Sequence, residues 1–309
     1  METSNRALAG RRVGIIGLGD LGGSLAAELA SAGVRVTGMR RGPQAPEGVE
    51  LVRGDARDPA ALEALPDELE LLVACLTPDA YDEAGYRAGY LQPAQALAQR
   101  YAGDRGRRIR RLLWVSSTAV LGAGDGTPAD DDTPVQPDSW RGRILLEAET
   151  TLAAALPVTA VRCSGIYGPG RHALLKRVLR GEGLPAQPVR YGNRIHRDDA
   201  VGILEFLLAR AATGASLPDA VLATDPAPTP RDRVLDWLAG ELGVSLRTVA
   251  DDGPRSSGRA LFPHRLEQMG YVWKYPDYRA GFGAILAGLR ASGELERLWL
   301  ESGRESGQR

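Results

Sequence analysis

Lysine is almost missing from this chain of 309 residues: Lys176 and Lys274 are the only two, and arginine supplies the rest of the basic charge. Chemistry that needs a lysine amine anywhere else is thereby excluded. Cysteine is as scarce. Cys75 and Cys163 alone exclude a disulfide scaffold, and three histidines without a Cys/His cluster at ligand spacing give no reason to expect a metal. No apolar run approaches the roughly 20 residues that span a bilayer, and Met1 to Arg12 has no hydrophobic stretch, so neither a membrane partner nor a secretory leader is expected. A net charge of −1 leaves no basic excess for a nucleic-acid partner. Together these absences point to the reducing cytoplasm. With 43% hydrophobic and 25% charged residues, the chain has the balance of a soluble enzyme, and its length suits one large α/β unit or a unit with an appended lobe.

Strand and helix patterns alternate through the first half. Val13 to Gly17 is a short apolar run, followed by glycines and a helical stretch from Ser24 to Ala32. Val34 to Met39, Glu50 to Val52, Leu69 to Leu76, Arg111 to Ser116 and Val158 to Arg162 read as five further strands. Helical spacing falls at Ala60 to Leu65, Ala80 to Tyr101 and Trp140 to Leu156. The almost continuous apolar character of Leu69 to Leu76 fits a parallel strand covered on both faces. The pattern predicts a Rossmann-type, doubly wound parallel sheet. Beyond Cys163 it loosens: a short helix at Leu174 to Arg180, a longer one at Asp199 to Arg210, then a Pro/Ala/Thr-rich stretch, Leu217 to Asp232, leading into a helix at Val234 to Leu242. We expect a dinucleotide domain over 10–165 plus 190–224, a smaller substrate lobe over 166–189 plus 225–300, and a frayed polar tail at 301–309. The run Asp130-Asp131-Asp132 reads as a solvated loop.

Gly17-x-Gly19-x-x-Gly22 lies between the first strand and the first helix. In that setting the first glycine allows the tight turn, the second lets backbone approach a pyrophosphate, and the third lets helix pack on strand. Asp20 and Leu21 complete the turn, and the phosphates face the helix amino end, where unpaired N–H groups favour negative charge. The end of the second strand, Gly38-Met39-Arg40-Arg41-Gly42, has no carboxylate for a ribose 2′-hydroxyl. Arg40 and Arg41 suit a 2′-phosphate, which favours NADP with NAD as second choice; the alternative is two solvated arginines. Gly54-Asp55-Ala56 either presents Asp55 to an adenine amino group or forms an ordinary polar turn.

The glycine turn and Val52-Arg53-Gly54-Asp55, with Val115-Ser116-Ser117-Thr118-Ala119-Val120-Leu121-Gly122, Arg162, Tyr167-Gly168-Pro169-Gly170-Arg171 and Ile195-His196-Arg197-Asp198-Asp199, resemble the extended short-chain dehydrogenase/reductase family. That family comprises the NAD(P)-dependent epimerases and dehydratases, and the resemblance runs from about Arg12 to Leu289. It implies catalysis by a Ser or Thr, a Tyr and a Lys, with the lysine lowering the tyrosine's pKa. Ser117 falls at the hydroxyl position, and Thr118 falls where dehydratases carry an acid. Aligning Glu147 with the family's downstream glutamate puts Ser139 in the tyrosine's place and Arg143 in the lysine's. The chain therefore resembles atypical members that lack the Tyr-x-x-x-Lys pair.

A substitute acid or base must then reach the site. His172, of the residue type commonly used as a general acid or base, is one candidate. Tyr167, Arg171 and Arg194 are candidate substrate contacts, the arginines for a nucleotide diphosphate or a carboxylate. The helical stretches Ala80 to Tyr101 and Trp140 to Leu156 either pair across a homodimer or pack on the chain's own sheet. The expected function is an NAD(P)-dependent oxidoreductase or epimerase-like enzyme acting on a small polar or nucleotide-linked substrate. The alternative is a non-catalytic NADP-binding protein, a redox sensor or partner-binding module.

Overall fold

A computed structural model of the protein describes residues 7–124, 126–186, 188–248 and 258–306. The first half winds as follows: β1 (Arg12–Ile16), α1 (Asp20–Ser31), β2 (Arg35–Arg40), β3 (Val49–Arg53), α2 (Pro59–Leu62), β4 (Leu71–Ala74), α3 (Glu83–Tyr86), a π-helical turn (Arg87–Leu91), α4 (Gln92–Arg100), α5 (Asp104–Arg108) and β5 (Arg111–Ser117). A 3₁₀ turn (Thr118–Leu121), β6 (Ala129–Asp130), α6 (Trp140–Ala153), β7 (Val158–Cys163), β8 (Gly165–Tyr167), α7 (Ala173–Leu179), β9 (Glu182–Gly183), β10 (Arg194–His196), α8 (Arg197–Ala212) and β11 (Ala220–Ala223) follow. The chain then forms α9 (Arg231–Leu242), β12 (Arg247–Thr248), β13 (Leu261–Phe262), α10 (His264–Gln268), α11 (Tyr278–Ser292) and α12 (Glu294–Ser306).

Seven strands pair in the order β11-β7-β5-β4-β1-β2-β3, every neighbour parallel. The order reverses between β1 and β4, and ligands of such sheets collect at the crevice this reversal opens at the strands' carboxyl ends. Ile15, Val73, Leu113 and Val161 point to one face, under α1 and α8; Ile16, Leu72, Trp114 and Leu112 point to the other, under α4 and α6. A separate cluster, including Leu175, Val178, Leu235, Phe282 and Leu286, joins α7, α9 and α11 beyond the strand ends. Among the described residues no helix is long and apolar enough to cross a membrane.

The seventh strand was hidden. Ala220–Ala223 is fully buried but only four residues long, and prolines on both sides give its surroundings the look of a linker. The Ala80 to Tyr101 stretch is helical from Glu83, where Asp82 accepts a hydrogen bond from Gly85 N at 2.7 Å, and it carries the π turn in its middle. The tail expected to fray is helical as far as Ser306, with Ser302 buried; 307–309 lie outside the described residues. The acidic run is not a solvated loop either. Asp130 lies in β6, paired with β13, and the buried Asp131 accepts from Leu222 N at 2.6 Å and Arg265 N at 2.9 Å.

Candidate active site

The glycine loop is shaped by close contact on one side and openness on the other. Gly17 has φ +95°, a conformation that disfavours side chains, and a Cβ there would strike the Cys75 carbonyl. A Cβ on Gly22 would strike the Gly17 carbonyl, so only glycine lets α1 sit this close to the loop. Gly19 differs: nothing lies within 4 Å of its Cβ position. It is also the N-cap of α1 and provides no capping side chain, leaving the first-turn N–H groups without a side-chain acceptor. Gly17 N itself donates to Met39 O at 2.9 Å, which ties the loop to β2. Leu21, also named in this turn, is buried against the core.

Beside the loop lies a cavity of about 400 Å³, lined by Gly17, Gly19, Arg40, Arg41, Asp55, Ala56, Arg57 and Asp79 among others. Arg40 donates through Nη1 to Gln44 O at 3.1 Å. Arg41 donates through both terminal nitrogens to the two oxygens of Asp79, each at 2.7 Å. Arg57 forks onto Asp55 at 2.9 and 2.5 Å. The guanidinium hydrogen bonds hold both carboxyls below their ordinary range, Asp55 through Arg57 and Asp79 through Arg41. An open glycine, an uncapped helix and a roomy crevice at the sheet's reversal fit a dinucleotide: its diphosphate at α1, its adenosine toward Asp55 and Ala56.

At the other end of the cleft, Ser117 closes β5. Its Oγ accepts from Ala119 N at 3.2 Å, and Thr118 starts the 3₁₀ turn beside it. Ser139 is the N-cap of α6, accepting from Gly142 N at 3.2 Å, and Arg143 Nη1 donates to Asp138 O at 3.2 Å. Both groups are thus engaged in starting the helix. The glutamate packed against the sheet is Glu149, not Glu147. Glu149 accepts from Ser116 Oγ at 2.5 Å and from Arg162 Nη2 at 2.8 Å, whereas Glu147 is exposed and lies 3.5 Å from Arg87. Setting the helix register by the buried glutamate moves the two dyad positions two residues on, to Arg141 and Leu145. Leu145 is buried with Val120 and Leu121. The Arg141 guanidinium carbon stands 4.9 Å from the Trp140 ring and 6.0 Å from the Tyr86 ring.

Above these lies a second cavity of about 220 Å³, bordered by Tyr167, Arg171, Asn193, Arg194, Arg231 and Phe282. Tyr167 is buried, its ring centroid 5.2 Å from His196 and 4.6 Å from Phe282, and burial pushes its phenol up. Arg171 reaches back to Asp20, with Nε and Nη2 at 2.9 and 2.7 Å from one carboxylate oxygen. His172 turns inward: Nε2 accepts from Gly170 N at 3.2 Å and Nδ1 lies 4.0 Å from Glu294, so the ring braces the Gly-Pro-Gly turn. Arg194 is 7% exposed and Asp225 1%. Burial lowers the Arg194 pKa and pushes Asp225 up to about 7. Sequence reasoning missed Asp79, Tyr86, Arg141, Glu149, Asp225 and Arg231. Arg162 was flagged, and a search for its buried counter-charge is the signal that would have found Glu149.

The family model for the NAD dependent epimerase/dehydratase family matches residues 15–214. Protein YeeZ of Escherichia coli K12 is 30% identical over 282 residues, covering 86% of this chain and 97% of its own. A Methylobacillus flagellatus protein, solved as a candidate NAD-dependent epimerase/dehydratase, superposes with a TM-score of 0.76 at 33% identity, over 91% of this chain and 99% of that one. The Bordetella bronchiseptica enzyme WbmG, solved with NAD and UDP, has a TM-score of 0.73 over 91% of this chain and 94% of its own, and at 17% identity it shares the fold. The chain belongs to the NAD dependent epimerase/dehydratase family.

Proposed function

We propose that this chain is a dinucleotide-dependent oxidoreductase or epimerase-like enzyme that takes NADP, with NAD as second choice, and acts on a small polar or nucleotide-linked anion. The observation that carries the reading is the uncapped amino end of α1 beneath an unobstructed Gly19, opening onto the larger cavity. Main-chain N–H groups of that turn hold the diphosphate. Asp55 and Ala56 take the adenine, and Arg40 and Arg41 the 2′-phosphate, which competes with Asp79 for the Arg41 fork. A bound nicotinamide supplies or accepts hydride.

Ser117 orients the substrate oxygen at the end of β5, with Thr118 beside it. Tyr86 supplies the phenol that α6 lacks. Its half-buried ring lies against Arg141, whose positive charge draws the phenol pKa back from the rise that burial causes. Arg171, Arg194 and Arg231 hold the substrate's anionic group in the smaller cavity, where guanidinium forks suit phosphate or carboxylate. The test is NADPH oxidation across a carbonyl panel. Turnover falls by about 100-fold in Ser117→Ala and Tyr86→Phe, the lower end for loss of one proton-transfer or oxyanion contact. Unchanged turnover removes the altered residue from the mechanism.

A second reading, a non-catalytic dinucleotide-binding module, is favoured by Leu145, an apolar side chain at the dyad's charged position. It requires tight cofactor binding without hydride exchange on any substrate, and turnover of one carbonyl compound ends it.

A further inference from the structure

The end of β2 carries no carboxylate, yet a carboxylate faces it. Asp79, in the loop after β4, meets Arg41 across the adenosine end of the larger cavity. The pair is fork to fork, the arrangement in which a guanidinium is most fully occupied. Both side chains are more than half exposed, at 60% and 57%, so the contact adds little to stability. Arg57 stands 4.0 Å from the same carboxylate and is itself bound to Asp55.

We propose that Asp79 limits the preference for phosphorylated over unphosphorylated dinucleotides, by occupying the Arg41 fork that a 2′-phosphate would otherwise use freely. The inference rests on reading this cavity as the dinucleotide site. The lining holds Arg40, Arg41 and Arg57 against Asp55 and Asp79, three positive groups against two negative. Removing Asp79 leaves three against one and frees a fork that already faces the cavity. A 2′-phosphate carries a charge of about −1.5 to −2 if it titrates like other phosphomonoesters, so it competes with Asp79 for Arg41 and is repelled by what it displaces. An unphosphorylated ribose meets the opposite situation. Its hydroxyls need acceptors, and Asp79 supplies from the β4 loop the carboxylate that β2 lacks.

The experiment is calorimetric titration of NADH and NADPH into wild type, Asp79→Asn and Asp79→Glu. Asp79→Asn is expected to shift the ratio of dissociation constants about 10-fold toward NADPH, while Asp79→Glu, which keeps the charge, stays near wild type. Melting temperatures should agree across the three proteins. A ratio within twofold of wild type in Asp79→Asn overturns the assignment and leaves the dinucleotide site standing. Failure of wild type to bind either cofactor overturns the site reading and this inference with it.

Discussion

The two ends of the cleft are built by different means. At the glycine-loop end the main chain does the work: Gly17 and Gly22 are glycines because neighbouring carbonyls leave no room, and Gly19 leaves the amino end of α1 open. At the other end the work falls to buried charges, with Glu149 bridging Ser116 and Arg162 and with Arg194 beside Asp225. A site made of backbone tolerates drift in everything but glycine. A site made of buried charges tolerates very little, because each partner is costly alone.

The sharpest way to break this contrast is Gly19→Glu. The position has φ −86° and open space, so the fold should survive, while a carboxylate at the diphosphate site should lower affinity for either cofactor at least 100-fold. Calorimetry beside a thermal melt checks both halves, and retained binding would mean the backbone is not what holds the ligand. Next in size is Glu149→Ala. It strands Arg162 next to Ser116 in the core and should cost about 3 kcal/mol by urea denaturation. A loss below about 1 kcal/mol would show that charge pairing does not organise that end.

The third test sharpens the contrast through pH. Burial raises the folded pKa of Asp225 from 3.8 to about 7, so between those values the folded state holds a proton that the unfolded state has released. Stability therefore falls as pH rises from about 4 to about 7, and the penalty persists above. Asp225→Asn keeps the shape and should flatten that part of the profile. An unchanged slope would assign it to another group.

How much was legible follows the same division. The glycine spacing and apolar strands announced the sheet and the helix end because both are local patterns. The register of α6 was not, because Glu147 and Glu149 are equally plausible on paper and only packing against Arg162 distinguishes them. Asp79 carried no signal at all: its importance comes from facing Arg41, 38 residues away in sequence. His172 looked like a titrating group by residue type, and its use as a brace depends on a turn that bends Gly170 onto it.

The acidic run has a consequence beyond local bracing. β11 is an outer strand of the sheet, and an outer strand offers free main-chain groups to any foreign strand that meets it. Here Asp131 takes the Leu222 N–H and Arg265 Nη1 takes the Ala220 carbonyl at 2.8 Å. Side chains thus occupy two of the outward main-chain groups of β11, which opposes edge-on pairing with a foreign strand even though β11 itself is short and entirely apolar.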